Sequence, residues 1–408
     1  MLEPQSTVLF VLLILIFGGL TFWLVVTGRL VLKIVAGFLS FVMAMSFGVL
    51  AVNRYFGYYQ TWGAAIADFS NNGPDTGPQI SPKSLLVGDK DPKFNPHNVY
   101  QQLAQQQGYT LHVDLTGSGL TRSVYIYLPP QYFLPQYSTY KFPVIELLHG
   151  QPGEPQDWIN VVGVQVMLDN LVREGKAEPA VLVMPDANGG NNISLQCLNQ
   201  VGGPADLTFL AQDVPNQITR MLRVQPPGVG WGVAGYSEGG FCAANMALHF
   251  RYRYGFAASL SGYFSPFDNK WGNPPRDVNP FGNNKALRDA NTPIDELRNV
   301  APGAVLPQFW LGAGTGNKLD VANAEYFAQE LQLHEADVPV VLSSDGGHTM
   351  KTWHEEVPPM LSWMTDGLVS AIANQARIRS ANEQRAVRRA EKAAELKKEH
   401  QHKQPAKH

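Results

Sequence analysis

Cysteine is scarce in this chain. Only Cys197 and Cys242 occur among its 408 residues. Two cysteines alone cannot supply the four ligands of a tetrahedral zinc site. They are compatible with one disulfide or with two buried thiols.

The chain also lacks a strong charge of either sign. Its formal net charge is −3, and only 16% of its residues are charged. This balance does not provide the basic surface that binding to a polyanion requires, so we expect no nucleic acid partner. Apolar residues make up 45%, and 38 glycines and 29 prolines are present. This composition is typical of a loop-rich globular enzyme and not of a fibrous or disordered chain.

Long apolar runs are present, and both lie near the N-terminus. Val8 to Thr27 and Ile34 to Val52 are almost wholly apolar, and each is long enough to cross a hydrocarbon core about 30 Å thick. A signal peptide has a basic start and a shorter apolar centre, whereas here Glu3 precedes the first run and a second run follows. We therefore predict a two-helix transmembrane hairpin over residues 1–54. A signal peptide and a pair of buried core helices are the alternatives.

The charges around the hairpin predict its orientation. Arg29 and Lys33 lie between the two runs, and no basic residue precedes the first run. Basic residues favour the cytoplasmic side. We expect a two-pass protein of the cell membrane whose main domain lies outside the cytoplasm. Arg54 lies on the other flank, so the difference in positive charge between the two sides is small. Four aromatic residues follow the second run: Tyr55, Tyr58, Tyr59 and Trp62. Their rings would suit the outer membrane–water interface, and packing on the globular domain is the alternative.

The rest of the chain divides into three parts. Residues 55–98 are rich in Pro, Gly and Asn and predict a linker. Residues 99–368 alternate strand and helix patterns, which predicts an α/β fold with a mainly parallel sheet and ligands at the carboxyl ends of its strands. Within it, residues 263–302 are too long for an ordinary connection, so we expect a cap or substrate-binding insertion.

The C-terminal part, residues 369–408, is charged and rich in alanine, with more basic than acidic side chains. It predicts a basic tail that is helical or disordered. Contact with anionic lipid or with an envelope polymer is one interpretation, and a solvated, frayed helix is the other.

One motif indicates a nucleophile. Gly235-Tyr236-Ser237-Glu238-Gly239 fits G-x-S-x-G, between a predicted strand at Trp231–Ala234 and a predicted helix at Gly239–Tyr252. A serine on such a strand–turn–helix is exposed at the top of the sheet. Ser237 is therefore the predicted nucleophile, and an ordinary turn serine is the alternative.

A nucleophilic serine needs a base, and in hydrolases the chain order is serine, acid, histidine. His348 follows the predicted strand Val338–Ser343 in a glycine-rich loop, and we predict it to be the base. His334 and His354 are rivals, which we expect on the surfaces of the neighbouring helices.

The acid should follow the preceding strand, Gln308–Leu311, and Asp320 ends the next loop. It would orient the imidazole and stabilise its charged form. Asp320 could instead be only the N-cap of the helix after it. Glu325 and Asp345 are the other candidates.

An oxyanion hole requires two N–H donors. We predict the backbone N–H of Glu238, directly after the nucleophile, and that of Gln151, in the loop after an earlier buried strand. His149 belongs to the same loop, where a structural role is more plausible than that of a base.

These residues together resemble a known family. The resemblance rests on four motifs, which are Leu147-Leu148-His149-Gly150, Met184-Pro185-Asp186, Gly235-Tyr236-Ser237-Glu238-Gly239-Gly240, and Gly346-Gly347-His348 with Trp353. They resemble the putative-esterase family, which includes esterase D, feruloyl esterases and the antigen 85 mycolyltransferases, over about residues 109–364. The resemblance implies an α/β-hydrolase fold, no cofactor and an acyl-enzyme on the serine. Lys318 stands where the mycolyltransferases have a glutamate, which weakens a reading as mycolyl transfer.

The two cysteines lie near the predicted site. Cys242 is five residues after Ser237, and Cys197 follows the predicted strand Ala180–Met184. An oxidising exterior would favour a disulfide between them; free buried thiols are the alternative.

The function we expect is that of a membrane-anchored serine esterase or acyltransferase that acts on envelope or lipid esters outside the cytoplasm. An envelope acyltransferase of the mycolyltransferase type and a non-catalytic surface binding protein on a hydrolase scaffold are the alternatives.

Overall fold

A computed structural model describes residues 2–69, 108–190, 194–266, 279–301, 303–336, 338–343 and 346–402. The predicted domain start at residue 99 and most of the predicted linker lie outside these residues.

The centre of the molecule is a sheet of eight strands in the order β1-β2-β4-β3-β5-β6-β7-β8. Strand β2 is antiparallel to β1 and β4, and all other neighbours are parallel. The prediction of a mainly parallel sheet is confirmed. The strands are β1 Tyr109–Gly117, β2 Leu120–Leu128, β3 Val144–Leu148, β4 Val181–Pro185, β5 Gly228–Tyr236, β6 Tyr254–Leu260, β7 Gln308–Gly314 and β8 Val340–Ser343.

Helices lie on both faces of the sheet and before it. They are α1 Thr7–Val26, α2 Leu30–Phe56, α3 Trp62–Phe69, α4 Asp157–Asn160, α5 Val164–Arg173, α6 Asp206–Thr208, α7 Val214–Met221, α8 Glu238–His249, α9 Lys285–Asp289, α10 Pro293–Arg298, α11 Lys318–Gln332 and α12 Met350–His402. A π-helical turn, Phe209–Asp213, joins α6 to α7.

The core consists of two apolar layers separated by the sheet. Every residue of β3 and β4 is buried, as parallel strands covered on both faces require. Helices α7, α8 and α11 contribute to one layer, and α4, α5 and the first part of α12 contribute to the other. Eleven of the twelve residues of α8 are buried, so this helix is fixed firmly against the sheet.

Helices α1 and α2 form a hairpin that is apolar and exposed. Their mean hydropathies over an 18-residue window are 2.8 and 2.2, and only 6% and 11% of those windows are buried. Helices of a soluble core would be buried, so this alternative does not fit. The second helix is longer than predicted, because it begins at Leu30 and ends at Phe56. Lys33 therefore lies in the first turn of α2 and not in the connection.

The end of the hairpin is tied to the rest of the chain. The Asn53 amide donates to the Tyr59 carbonyl at 3.0 Å and accepts from the Tyr59 N–H at 2.7 Å. Gly57 ends α2 with φ 68° and lies so close to α12 that a Cβ atom on it would be 2.7 Å from Cβ of Lys351. Tyr58 and Tyr59 pack against the core layer of α12. Tyr58 and Tyr59 therefore contact the globular domain, whereas Tyr55 is 74% exposed and Trp62 donates its Nε1–H to the Leu2 carbonyl at 2.6 Å.

Several predicted elements differ from the observed ones. Between β3 and β4 the chain forms two short helices, α4 and α5. Helix α12 continues to His402, so much of the predicted tail is part of one long helix that starts beside the site. The described parts of segment 263–302 contain α9 and α10 and pack beside α8 and α11; residues 267–278 lie outside the described residues.

Candidate active site

Ser237 occupies a strained turn between β5 and α8, with φ 57° and ψ −120°. Non-glycine residues rarely adopt a positive φ, and such strain concentrates at functional sites. The flanking glycines are required by close packing. A Cβ atom on Gly239 would lie 2.1 Å from the carbonyl oxygen of Leu148, and one on Gly235 would lie 2.2 Å from the carbonyl oxygen of Gly239. The motif thus folds as the strand–turn–helix that the sequence predicts.

The structure brings Ser237, His348 and Asp320 together. Nε2 of His348 is 2.8 Å from Oγ of Ser237, and its Nδ1 is 2.8 Å from Oδ2 of Asp320. The Asp320 side chain is buried, at 7% exposed, whereas His348 is 39% exposed. Ser237 directly follows β5, Asp320 lies in the first turn of α11 after β7, and His348 follows β8. The three residues meet because these strands are parallel and end at one edge of the sheet.

Asp320 is not the N-cap of α11. That position belongs to Asn317, whose side-chain oxygen accepts hydrogen bonds from the N–H groups of Leu319 and Asp320. The Asp320 carboxylate is thereby left to face His348. Glu325, a rival acid, is exposed further along the same helix, and Asp345 lies outside the described residues.

The rival histidines lie elsewhere. His354 lies on α12 and is partly exposed, with its ring nitrogens 2.7 Å and 2.8 Å from the carbonyl oxygens of Met350 and Val161. It connects α12 to the segment after α4. His334 follows α11 and is half-exposed.

The loop after β3 lies beside the serine. A Cβ atom on Gly150 would be 2.9 Å from Cε2 of Tyr236 and 3.1 Å from Cβ of Ser237, so any larger residue would require these neighbours to shift. Gln151 is next to it, and its side-chain oxygen accepts a 2.9 Å hydrogen bond from Asn188. Glu238 is the first residue of α8, where a backbone N–H has no partner within the helix. Gln151 and Glu238, the residues predicted to supply the oxyanion donors, therefore lie beside the serine.

His149 has its ring nitrogens committed to the backbone. Its Nε2 accepts from the N–H of Ala187 at 3.1 Å, which leaves Nδ1 to donate to the carbonyl of Gly150 at 2.8 Å. The ring is fully buried. These bonds hold the loop of Gly150 against the end of β4, as a structural role requires.

The Glu238 side chain anchors a further loop beneath the site. It is buried, and burial raises the pKa of its carboxyl group. It accepts hydrogen bonds from the hydroxyl of Ser194 and, at 3.3 Å, from the N–H of Gln196. The predicted disulfide joins the adjacent Cys197 to Cys242 of α8. The loop after β4 is thus fixed to the helix that carries the nucleophile.

Two residues of α12 support the site, and sequence reasoning gave neither a role. The Trp353 ring stacks on Tyr236, with centroids 4.5 Å apart, and meets the His348 ring edge-on at 5.3 Å. Its Nε1 donates to Oγ of Ser261 at 3.1 Å. Glu356 is fully buried and accepts a 3.0 Å hydrogen bond from Ser343. Their i, i+3 spacing places both side chains on one face at the start of the helix, and this spacing could have been read from the sequence.

An apolar cavity of about 550 Å³ opens beside the serine. Its floor includes Ser237, His348 and Gln151, and its opposite wall comes from the end of α2 and the segment after it. That wall consists of Val49, Leu50, Val52, Asn53, Phe56, Tyr58, Tyr59, Trp62 and Ala65. The described parts of segment 263–302 do not line it. The predicted hairpin therefore reaches the site, which sequence reasoning did not foresee.

A second, more polar cleft of about 970 Å³ lies on the other side of His348. Arg54, Lys318 and Lys351 line it, and all three are exposed. The end of α2 contributes to both clefts. Among the described residues, no group of three or more His, Cys, Asp and Glu side chains is arranged to hold a metal ion.

Comparison with known proteins places the chain in a family. Residues 118–364, more than half of the chain, match the family described as putative esterase. An uncharacterized protein of Corynebacterium glutamicum is 24% identical over 257 residues, which are 62% of this chain and 58% of that protein. The match therefore spans little more than half of this relative's length.

Solved structures share the fold at low identity. A ferulic acid esterase superposes with a TM-score of 0.55 at 20% identity and covers 64% of this chain and 98% of its own. A fluorophosphonate-binding serine hydrolase of Staphylococcus aureus gives 0.52 at 16% identity, with 63% and 98% covered. An S-formylglutathione hydrolase of Agrobacterium tumefaciens gives 0.51 at 16% identity, with 64% and 96% covered.

These matches confirm the α/β-hydrolase fold and the family resemblance. The chain belongs to the putative esterase family and has the α/β-hydrolase fold.

Proposed function

We propose that this protein is a membrane-anchored serine enzyme that transfers the acyl group of a carboxylic ester, to water or to an alcohol, through a covalent intermediate on Ser237. The observation that carries the proposal is the continuous hydrogen-bonded chain from Ser237 through His348 to Asp320. It lies at the carboxyl edge of the sheet, with a cavity above the serine.

In the proposed mechanism, Nε2 of His348 accepts the Ser237 proton while Oγ attacks the ester carbonyl carbon. Asp320 holds Nδ1–H and stabilises the imidazolium that forms. The N–H groups of Gln151 and Glu238 stabilise the negative oxygen of the tetrahedral intermediate. The intermediate collapses as His348 protonates the leaving alcohol, and the acyl group remains on Ser237.

In the second half of the reaction, water or a second alcohol gives its proton to His348 and attacks the acyl-enzyme. The product is an acid in the first case and a new ester in the second. A supplied acceptor alcohol distinguishes the two, because only a transferase forms the new ester in competition with water.

The hairpin supports a membrane location. Two exposed apolar helices are unstable in water but are stabilised in a hydrocarbon layer. Arg29 and Lys33 cluster at one end of the hairpin, and the domain is attached at the other end. With basic residues inside, the proposed catalytic domain lies outside the cytoplasm. The exposed arginines in the described part of α12 would favour anionic lipid or an envelope polymer: Arg377, Arg379, Arg385, Arg388 and Arg389.

The test uses the full-length protein in detergent micelles. We expect a fluorophosphonate probe to label the wild type and p-nitrophenyl acetate to be hydrolysed. Ser237→Ala should abolish both, and His348→Ala should lower both by about 10³-fold or more. His354→Ala is the control and should keep the activity. A folded wild type without labelling and turnover would instead favour a non-catalytic binding protein.

A further inference from the structure

The wall of the apolar cavity is a continuous face of the hairpin. Val49, Leu50, Val52, Asn53 and Phe56 recur at the spacings of one face of an α-helix. Apart from Asn53, which bonds to the Tyr59 backbone, these side chains are apolar. A membrane-spanning helix is apolar on all sides, so the informative observation is that this face lines the same cavity as Ser237.

The position of this face relative to the bilayer follows from helix length. Helix α2 has 27 residues and is therefore about 40 Å long, whereas a hydrocarbon core is about 30 Å thick. About 20 residues of α2 span that core, and the apolar run Ile34–Val52 places the outer end of the span near Val52. Thr7, where α1 begins, lies beside Arg54 at 3.1 Å and marks the same level. The cavity wall, Val49 to Phe56, thus lies at the outer edge of the bilayer.

The two sides of the site differ in chemistry. The cavity between Ser237 and α2 is lined mainly by aliphatic and aromatic side chains, and its volume lies within the range of about 300–1,000 Å³ typical of ligand pockets. The cleft on the far side of His348 has three cationic side chains. An alcohol or sugar fits the polar cleft, and a hydrocarbon chain fits the apolar cavity, because burial of unpaired polar groups is costly.

We infer that the anchoring helix α2 is also a substrate-binding element. It forms the acyl pocket, and the ester substrate is a lipid whose hydrocarbon chain enters from the bilayer surface along α2. This inference rests on the proposed serine mechanism and adds the class of acyl group and the residues that select it.

The test is the dependence of activity on acyl length in the full-length protein in micelles. We expect kcat/KM for p-nitrophenyl octanoate to exceed that for the acetate at least about tenfold, because each buried methylene contributes up to about fourfold. Leu50→Trp, which fills the pocket, should lower this octanoate-to-acetate ratio about tenfold or more. Leu39→Trp, on the part of the same helix that lines neither cleft, should leave the ratio within about twofold.

A second pair of variants guards against loss of folding. If Leu50→Trp shows no cooperative thermal unfolding, Phe56→Ala replaces it, with Phe41→Ala as the control on the bilayer-facing part of α2. We expect Phe56→Ala to lower the ratio about threefold or more, since it removes apolar wall without added bulk. A pocket elsewhere would leave the ratio unchanged in both pocket variants.

The possible outcomes separate the two proposals. Acetate turnover with no preference for the longer chain, or with equal effects of Leu50→Trp and Leu39→Trp, would overturn the acyl pocket and leave the serine mechanism standing. Absence of both turnover and fluorophosphonate labelling in the folded wild type would overturn both proposals.

Discussion

The buried carboxyl group of Glu356 leads to a prediction about how the stability of the protein depends on pH. Its carboxyl group is fully buried against β7, where a Cβ atom on Gly312 would lie 2.6 Å from Oε2. Loss of hydration raises its pKa from 4.5 to about 8; the hydrogen bond from Ser343 opposes this, and the charge of Asp320 adds to it. The folded protein therefore holds a proton on Glu356 at neutral pH.

The sign follows from proton linkage. Below pH 4.5 the folded and unfolded chains both carry this proton, and above about pH 8 both have lost it. Between these values only the folded state binds it, so its contribution to stability falls as pH rises. The full contribution is about 5 kcal/mol at 1.36 kcal/mol per pH unit, of which about 4 kcal/mol is lost between pH 5 and pH 9.

The perturbation is Glu356→Gln, which imitates the protonated acid and cannot titrate. Relative to the wild type, we expect the variant to gain about 4 kcal/mol of unfolding free energy from pH 5 to pH 9, or roughly 8 °C in Tm. The assay is thermal unfolding of the detergent-solubilised protein at each pH. Glu355→Gln, its exposed neighbour, is the matched control. Parallel wild-type and Glu356→Gln curves over this range would refute the reasoning.

Three further predictions concern the site itself. Asp320→Asn should lower kcat by about 10³–10⁴-fold with little change in KM, because the imidazole loses its orienting charge; an equal loss in acetate and octanoate turnover is the check. Cys197→Ser should lower the unfolding free energy by about 4 kcal/mol, since the disulfide closes a loop of 45 residues; identical denaturation curves with and without reductant in the wild type would contradict this. Trp353→Phe keeps the ring stack on Tyr236 but loses the bond to Ser261, so we expect a lower kcat at unchanged KM, whereas a purely structural role would show only in Tm.

Local patterns predicted much of the fold. The buried strands and the helix after Ser237 were evident because parallel strands read as short apolar runs and the elbow has its own motif. The predicted ends of helices were less accurate where the spacing of apolar residues along the chain does not mark an end. The residues after position 369 are rich in alanine and have high helix propensity. The sequence therefore shows no break between the part of α12 that packs on the sheet and the part that was predicted to be a tail.

The candidate site was likewise predicted in part from the sequence and decided in part by the tertiary structure. The sequence alone pointed to Ser237, His348 and Asp320, because chain order and strand ends bring such residues to one edge of a parallel sheet. It could not decide whether Asp320 caps α11, since that depends on Asn317 taking the capping hydrogen bonds.

The sequence by itself determined the class of fold, the nucleophile motif and the two apolar helices, because these are written in residues close together along the chain. Only the tertiary structure decided what lies opposite the serine. The end of α2 faces Ser237 across the cavity, although about 180 residues separate them along the chain. Such contacts depend on how distant surfaces pack, and no local pattern records them.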